Sequence, residues 1–422
     1  MTGAPTVSVI VVSRGRPVSL TLCLTGLARL YYPAYEIIVV ADRTGLAAVR
    51  AAGFAEEIKT VGCDEPNISA ARNLGIAEAA GEIVAFIDDD AVPEPAWLDH
   101  LVQGFRFPEA AAAGGYVLGR NGISFQWKAR SVDHTGLAQP LDVPGDAPVL
   151  LTPADGRAIK TEGTNMAVRR DVLAEMGGFD PAYRFYLDET DLNLRLARAG
   201  HATAIVPLAL VHHAYAESDR RTRTRAPLDL FEIGASTAVF LRRHCPEEEH
   251  ARIFQRLREG RRRALIGYMV DGRIEPRDVA RLMRRLDEGI ADGIARPVSQ
   301  MPPIARAQHW FLPFESRASG ETKVIGGRLV RARRHRQKAR QAAEQGHTVS
   351  LFLLSRTALA HRVRFTRDGV WEQIGGLWGR SGRDKGRVRL TTFARRINDE
   401  AFRVALSRNL PIVEPSDAKN LQ

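Results

Sequence analysis

The chain has 422 residues, 45% of them hydrophobic, and a formal net charge of +11, which is long enough for two or three domains around a large core. Cys23, Cys63 and Cys245 lie far apart with no CxxC pair, which speaks against a disulfide framework or a local zinc motif and fits a reduced cytosolic compartment. No apolar run approaches the roughly 18 residues of a membrane-spanning helix, and the first strand starts too early to leave room for a signal peptide.

The charge is unevenly placed. Residues 1–250 hold 24 Lys and Arg against 32 Asp and Glu, whereas residues 251–422 hold 36 against 17. An acidic front and a basic back point to two different jobs.

In chain order, Val7 to Val12 is a β-branched run and reads as a buried strand. The turn Ser13-Arg14-Gly15-Arg16-Pro17 opens a helix with Leu20, Leu24 and Leu27 at helical spacing, and Pro33 closes this region. Glu36 to Ala41 is a second strand ending at Asp42. A short helix and a third strand over Ile58 to Val61 follow, and Asn67 to Ala80 is an Ala-rich helix stopped by Gly81. Alternating strands and helices joined by short turns predict a doubly wound, mostly parallel sheet.

The next strand, Ile83 to Ile87, runs straight into Asp88, Asp89 and Asp90, and Pro93 and Pro95 forbid it to continue. Three carboxylates therefore stand at the carboxyl end of a strand, where open α/β sheets bind ligands. Like charges this close repel, and covering them costs desolvation. Mg²⁺ or Mn²⁺ relieves both costs, since either takes a few carboxylate oxygens together with phosphate oxygens.

Trp97 to Phe105 reads as a helix and Ala110 to Leu118 as a strand, and residues 119–161 show no period. Glu162 to Val168 leads to a short helix, Arg170 to Met176, ended by Gly177-Gly178. The segment from Asp188 to Gly200 is a helix with acids in its first turn and arginines in its last, as the helix dipole favours. Ala204 to Val206 and Leu208 to His212 are strands that end in His212-His213. Helices dominate from Leu228 to Ile294. Residues 331–340 form a dense basic run, and Trp371, Phe393 and the run Val349 to Leu354 indicate that the end of the chain folds or docks.

Taken together, Val-Ser-Val-Ile-Val-Val (7–12), Ala-Arg-Asn-Leu-Gly (71–75), Phe-Ile-Asp-Asp-Asp (86–90), Gly-Thr-Asn-Met-Ala-Val-Arg-Arg (163–170), Gly-Gly-Phe-Asp (177–180) and Asp-Glu-Thr-Asp-Leu-Asn-Leu-Arg (188–195) resemble the inverting family-2 glycosyltransferases of GT-A fold, over residues 7–215. The resemblance implies an α/β fold of GT-A type, a Rossmann-like mostly parallel sheet flanked by helices, as a catalytic domain over residues 1–245. It does not explain residues 251–422, whose pattern and charge read as a largely helical basic C-terminal region: a helical extension over 246–300 and a basic region of unassigned role over 301–422.

The resemblance also implies roles. Asp90, Asp88 and His213 match the metal ligands, and Asp88 and Asp89 face the ribose or a metal-bound water. Asp42 matches the acid that accepts from the nucleotide base, which places UDP first among nucleotides. Ser13, Arg14, Arg72 and Asn73 lie on the nucleotide side, with Arg72 suited to phosphate. The family's Glu-Asp pair appears here as Asp188-Glu189, with Glu189 first and Asp188 second as the general base for a hydroxyl acceptor. Thr164 and Asn165 match the acceptor side, and Trp97 and Trp127 are candidates to stack on a sugar.

The implied activity moves a sugar from a nucleoside-diphosphate sugar to a growing cell-surface glycan or lipid-linked glycan, with a divalent metal. The setting is the cytoplasm, with peripheral attachment to the inner face of the membrane as an option. For the basic half, anionic phospholipid, anionic polysaccharide and an ordinary solvated appendage stay open, and no nucleic-acid module is readable. The rivals are an inactive sugar-nucleotide or membrane-binding module and a sugar nucleotidyltransferase. The latter would want a glycine-rich phosphate loop that Ser13 to Pro17 does not provide.

Overall fold

The computed structural model describes residues 3–213, 226–298, 300–382, 386 and 388–411. The strands are β1 (Val7–Ser13), β2 (Tyr35–Ala41), β3 (Lys59–Gly62), β4 (Ile83–Asp88), β5 (Ala91–Pro93), β6 (Ala110–Leu118), β7 (Phe125–Trp127), β8 (Arg130–Val132), β9 (Ala138–Pro140), β10 (Val149–Leu151), β11 (Ala158–Lys160), β12 (Met166–Arg169), β13 (Ala202–His213), β14 (Thr322–Arg328), β15 (Thr348–Ser355), β16 (Arg362–Phe365) and β17 (Val370–Gly376). The helices are α1 (Pro17–Leu27), α2 (Arg43–Ala51), α3 (Ile68–Glu78), α4 (Trp97–Leu101), α5 (Arg170–Glu175), α6 (Asp188–Arg198), α7 (Phe231–His244), α8 (Glu247–Val270), α9 (Pro276–Ala295), α10 (Ala332–Glu344), α11 (Phe393–Arg403) and α12 (Ala405–Arg408).

The main sheet runs β10-β13-β6-β12-β4-β1-β2-β3, with β5 added to β13 and β7 to β6. Its longest pairings, β13 with β6 and β1 with β2 and β4, are parallel, and β12 is inserted antiparallel between β4 and β6. The β-branched runs read as strands because both faces are covered. Val9, Val11, Ile37, Val39, Ala85 and Ile87 point to the side of α1 and α4. Ile10, Ile38, Val40, Val84 and Phe86 point to the side of α3 and α6. The two-residue period of a strand then puts Asp88 on the same face as Phe86, beneath α3.

The period-free stretch 119–161 is a set of short strands. Three of them, β11-β8-β9, form a small separate sheet that lies against α6. The two strands expected over 204–212 are one strand, β13, with an irregularity between Val206 and Leu210 at Pro207.

Helices α7, α8 and α9 follow as expected. A Cβ on Gly289 would lie 2.0 Å from the Phe231 carbonyl oxygen, so only glycine lets α9 approach α7 this closely.

The expectation of a largely helical C-terminal region holds through α9 and not past residue 320. There β14-β15-β17-β16 form a second sheet, with β14, β15 and β17 mutually parallel. The run Val349 to Leu354 is its central strand, covered by α10 through Ala339, Ala342 and Ala343 on one face and by α11 and α12 through Ile397, Val404 and Ala405 on the other. A buried strand has no polar alternation to announce it, and the arginine-rich helix beside it dominates the local composition.

The connecting segment is strapped to the main sheet. Phe314 is buried against Tyr35 and Phe54, and its backbone N–H donates to the Tyr35 carbonyl at 2.8 Å.

Candidate active site

Strand β4 ends at Asp88, the chain turns through Asp89 and Asp90, and it re-enters the sheet as β5. That strand pairs antiparallel with the end of β13, with Ala91 opposite His213. Asp90 thereby meets His213, whose Nε2 lies 3.1 Å from Asp90 Oδ1. Asp88, Asp90 and His213 offer two carboxylate oxygens and one imidazole nitrogen, all within 4.8 Å of one another. Such a donor set fits a divalent cation of the Mn²⁺ or Mg²⁺ type. The other ring nitrogen of His213 lies 3.2 Å from Gln126 Oε1, an outer contact that fixes the ring.

Asp89 turns the other way. It accepts from the Ser13 hydroxyl at 2.7 Å and from Arg16 Nη1 at 2.9 Å, and Arg16 also reaches Asp90 at 3.4 Å. Burial pushes the Asp89 carboxyl up to about 7, with Arg16 opposing and the neighbouring Asp90 adding to the rise.

A second pair of acids comes from the start of α6. Leu187, just before it, holds a left-handed φ of 66°, and Tyr186 one of 76°. Such backbone costs on the order of 1–3 kcal/mol for residues with a side chain and tends to occur at functional sites. Leu187 is locked there by packing among Val132, Tyr183, Val239 and Phe240.

Arg72 joins the two groups of acids. It pairs with Asp188 through Nη1 and lies 3.5 Å from Asp88 Oδ1 through Nη2. Its guanidinium stacks 5.0 Å from the Phe179 ring centroid. There is no room for a side chain beneath it, since a Cβ on Gly163 would sit 2.5 Å from Arg72 Nη2.

Glu189 is held by Lys160, whose Nζ donates to Oε1 at 2.8 Å and to Thr190 Oγ1 at 3.0 Å. The two neighbouring acids are driven apart. Burial raises the Asp188 carboxyl to about 7 against the pull of Arg72, with Glu189 adding to the rise. For Glu189, Lys160 overcomes burial and lowers the carboxyl to about 2.

The other expected residues divide. Asp42 caps α2, accepting from Gly45 N–H at 2.8 Å and the Thr44 hydroxyl at 2.9 Å on Oδ1, and from Gly15 N–H at 3.0 Å on Oδ2. Arg14 is exposed beside it.

Asn73 is tied to the backbone of Phe179. Its side-chain amide both donates to the Phe179 carbonyl at 2.7 Å and accepts from the Phe179 N–H at 2.8 Å, which shapes the Gly177-Gly178 turn. Asn165 belongs to the core and not to an acceptor surface, because it accepts from Trp97 Nε1 at 2.8 Å and donates to the Tyr116 and Ala209 carbonyls. Trp97 is fully buried, whereas Trp127 stands 5.8 Å from the His213 ring. Asp191 is fully buried between Arg195 and His244, tying α6 to α7.

Lys160, Glu162, Arg130 and Gln126 were not foreseen. They come from the period-free stretch or its edge and carry no local signal. Arg130 pairs with Glu162, and Lys160 lies 3.7 Å from Glu162 Oε2, so a charge-alternating row leads to Glu189.

With this geometry in view, residues 4–227 match the family model described as "Glycosyltransferase like family 2", and the chain belongs to that family. The chain is similar to the O-antigen biosynthesis protein RfbC of Myxococcus xanthus, 30% identical over 50% of this chain and 17% of that protein. It is also similar to the probable glycosyltransferase YdaM of Bacillus subtilis, 28% identical over 52% of this chain and 54% of the other. The chain thus spans about half or less of the length of these two relatives. Among solved structures, the mannosyltransferase PcManGT of Pyrobaculum calidifontis in complex with GDP-Man and Mn²⁺ superposes with a TM-score of 0.43 at 17% identity, over 70% of this chain and 88% of that one.

The contact between Gly163 and Arg72 yields a specific expectation. Gly163→Ala should displace the guanidinium from Asp88 and Asp188 and lower turnover by about 10²-fold, with an unchanged circular dichroism spectrum. The measurement is release of nucleoside diphosphate from a donor that the wild type uses.

Proposed function

We propose that this protein is a metal-dependent, inverting glycosyltransferase. It moves a sugar from a nucleoside-diphosphate sugar, with UDP first among nucleotides, to a hydroxyl of a growing cell-surface glycan or polysaccharide. One observation supports this above the rest: the charged row from Asp90 and His213 through Asp88, Arg72 and Asp188 to Glu189, which sets a cation-binding corner and a proton-accepting corner on one site.

Asp88, Asp90 and His213 are the proposed metal ligands. They would hold a cation whose charge would offset that of the departing diphosphate. Arg72 orients Asp88 and Asp188 towards each other, and Arg16 and Ser13 keep Asp89 out of the ligand set. Asp42 Oδ2 accepts one N–H within the chain and can accept another from a nucleotide base.

Glu189 is the proposed base. Its side chain is 19% exposed against 5% for Asp188, and reach to the acceptor comes before pKa. Lys160 keeps Glu189 ionised and therefore ready to take the proton from the attacking hydroxyl. Trp127, beside His213, offers an aromatic face to a sugar.

The basic C-terminal half is proposed to meet an anionic membrane surface on the cytoplasmic side. Arg331, Arg333, Arg334, Lys338 and Arg340 are all exposed on or next to α10, and Val330, immediately ahead, is 93% exposed. Each such cation is worth about 1 kcal/mol at an anionic surface. No helix among the described residues is long and apolar enough to cross a membrane.

The central test is a thermal-shift screen of nucleoside diphosphates with and without Mn²⁺. One nucleotide should stabilise the protein only when metal is present, and Asp90→Ala should abolish that response. An Asp90→Ala protein that responds like wild type would refute the ligand assignment.

Substitution separates the two candidate bases. Glu189→Gln should lower kcat by about 10²-fold or more, the range lost with a general base, with little change in KM. A Glu189→Gln enzyme with near wild-type kcat would return the role to Asp188. For the basic half, co-sedimentation with phosphatidylserine vesicles should be strong at low salt and fall steeply as salt rises. Equal sedimentation with neutral vesicles would remove the electrostatic explanation.

A further inference from the structure

The C-terminal unit reaches the metal corner through a buried ionic contact that the reading of the catalytic domain does not use. Arg408, in α12, grips Glu94 with a two-pronged fork, Nε to Oε2 at 2.7 Å and Nη2 to Oε1 at 2.8 Å. Both side chains are 2% exposed. The same Glu94 Oε1 lies 2.7 Å from His212 Nε2. Trp371, also from the C-terminal unit, covers the assembly, with its ring centroid 4.6 Å from that of His212 and 4.5 Å from the Arg408 guanidinium.

Glu94 follows β5 directly, and His212 precedes His213. Strand β5 has three residues, Ala91 to Pro93, and pairs with Val211 to His213. The residue just before this short ladder is Asp90, and its other strand ends at His213, so the ladder sets the spacing of two proposed metal ligands.

Three paired residues hold register weakly by themselves. Here the C-terminal unit fastens them. Val92 of β5 packs with Val363, Phe365 and Trp371. Arg408 fixes Glu94, whose N–H donates to the Leu210 carbonyl at 3.0 Å. Helix α12 is in turn stitched to the catalytic domain, with Ala96 N–H donating to the Ser407 carbonyl at 3.0 Å and the Tyr31 hydroxyl to the Arg408 carbonyl at 3.1 Å. A solvated appendage has no reason to bury two charges at its seam, because desolvation cancels much of their attraction. What such a pair does provide is a fixed geometry.

We infer that the C-terminal unit sets the geometry of the metal corner, with Arg408 as a positioning residue that acts through Glu94 and His212 on Asp90 and His213. This rests on the reading of Asp88, Asp90 and His213 as metal ligands.

The test measures Mn²⁺ affinity directly on the full chain, from the free-Mn²⁺ signal in electron paramagnetic resonance. Circular dichroism is recorded alongside to establish that each variant is folded. Arg408→Met should weaken Mn²⁺ binding by about 10-fold or more, the range seen when outer-shell partners of metal ligands are removed. Arg408→Lys should recover part of the loss, since it restores the charge without the fork. Should Arg408→Met fail to fold, the pair Glu94→Gln with Arg408→Met removes both buried charges together and leaves neither unpaired, and it should also weaken Mn²⁺. Arg395→Ala, at an exposed position of α11 in the same unit, should leave the affinity unchanged.

Wild-type affinity in the folded Arg408 variants would overturn the coupling while leaving the metal site in place. Absence of Mn²⁺ binding to the wild type would overturn the ligand assignment, and the coupling with it.

Discussion

Four aspartates, Asp88, Asp89, Asp90 and Asp188, converge at the carboxyl end of β4, and much of the surrounding structure neutralises them. Arg16 takes Asp89, His213 meets Asp90, and Arg72 spans Asp88 and Asp188. Without these partners the mutual repulsion and desolvation of the group would oppose folding. The compensation is incomplete, since burial still raises the Asp89 and Asp188 carboxyls to about 7 against Arg16 and Arg72.

The same principle of assigned partners separates the two neighbouring acids of α6. Asp188 and Glu189 are adjacent in sequence and share a helix N-terminus, yet one meets Arg72 from the neighbouring helix α3 and the other meets Lys160 from the small sheet. One carboxyl is raised and the other lowered. Two acids of nearly identical chemistry are thus given different proton affinities by what packs on either side of the helix, the usual way in which a site acquires distinct acid and base roles.

The C-terminal unit is part of this arrangement and not an independent module. It has its own sheet and its own buried ionic core, where Glu400 is held at about 2 by Arg403, Ser381, Gln373 and Arg396 against burial. Its seam with the catalytic domain nevertheless contains Glu94, Arg408 and Trp371, packed behind the strand that ends at His213. Separating the two units would expose the apolar seam of Val92, Val363, Phe365 and Trp371 to water, while the ion pair contributes fixed geometry more than net stability. The basic side chains of α10 are left exposed on the outside of the unit.

The sequence by itself determined what depends on neighbours in the chain. The strand-end position of Asp88 to Asp90, the acidic first turn of α6 and the helices of 231–295 were all legible, because an apolar run, a proline or a helix-end charge pattern reports on its own few residues. Tertiary structure decided what depends on pairing over distance. The register that sets Ala91 opposite His213, the rotation of α3 that turns Arg72 to the acids and gives Asn73 to the Phe179 backbone, and the meeting of Lys160 with Glu189 all join segments tens of residues apart. So does the reach of Arg408 to Glu94, 314 residues away. A side chain's local pattern states whether it is buried and in which element, but not which distant charge will lie opposite it, because that follows from how the layers stack.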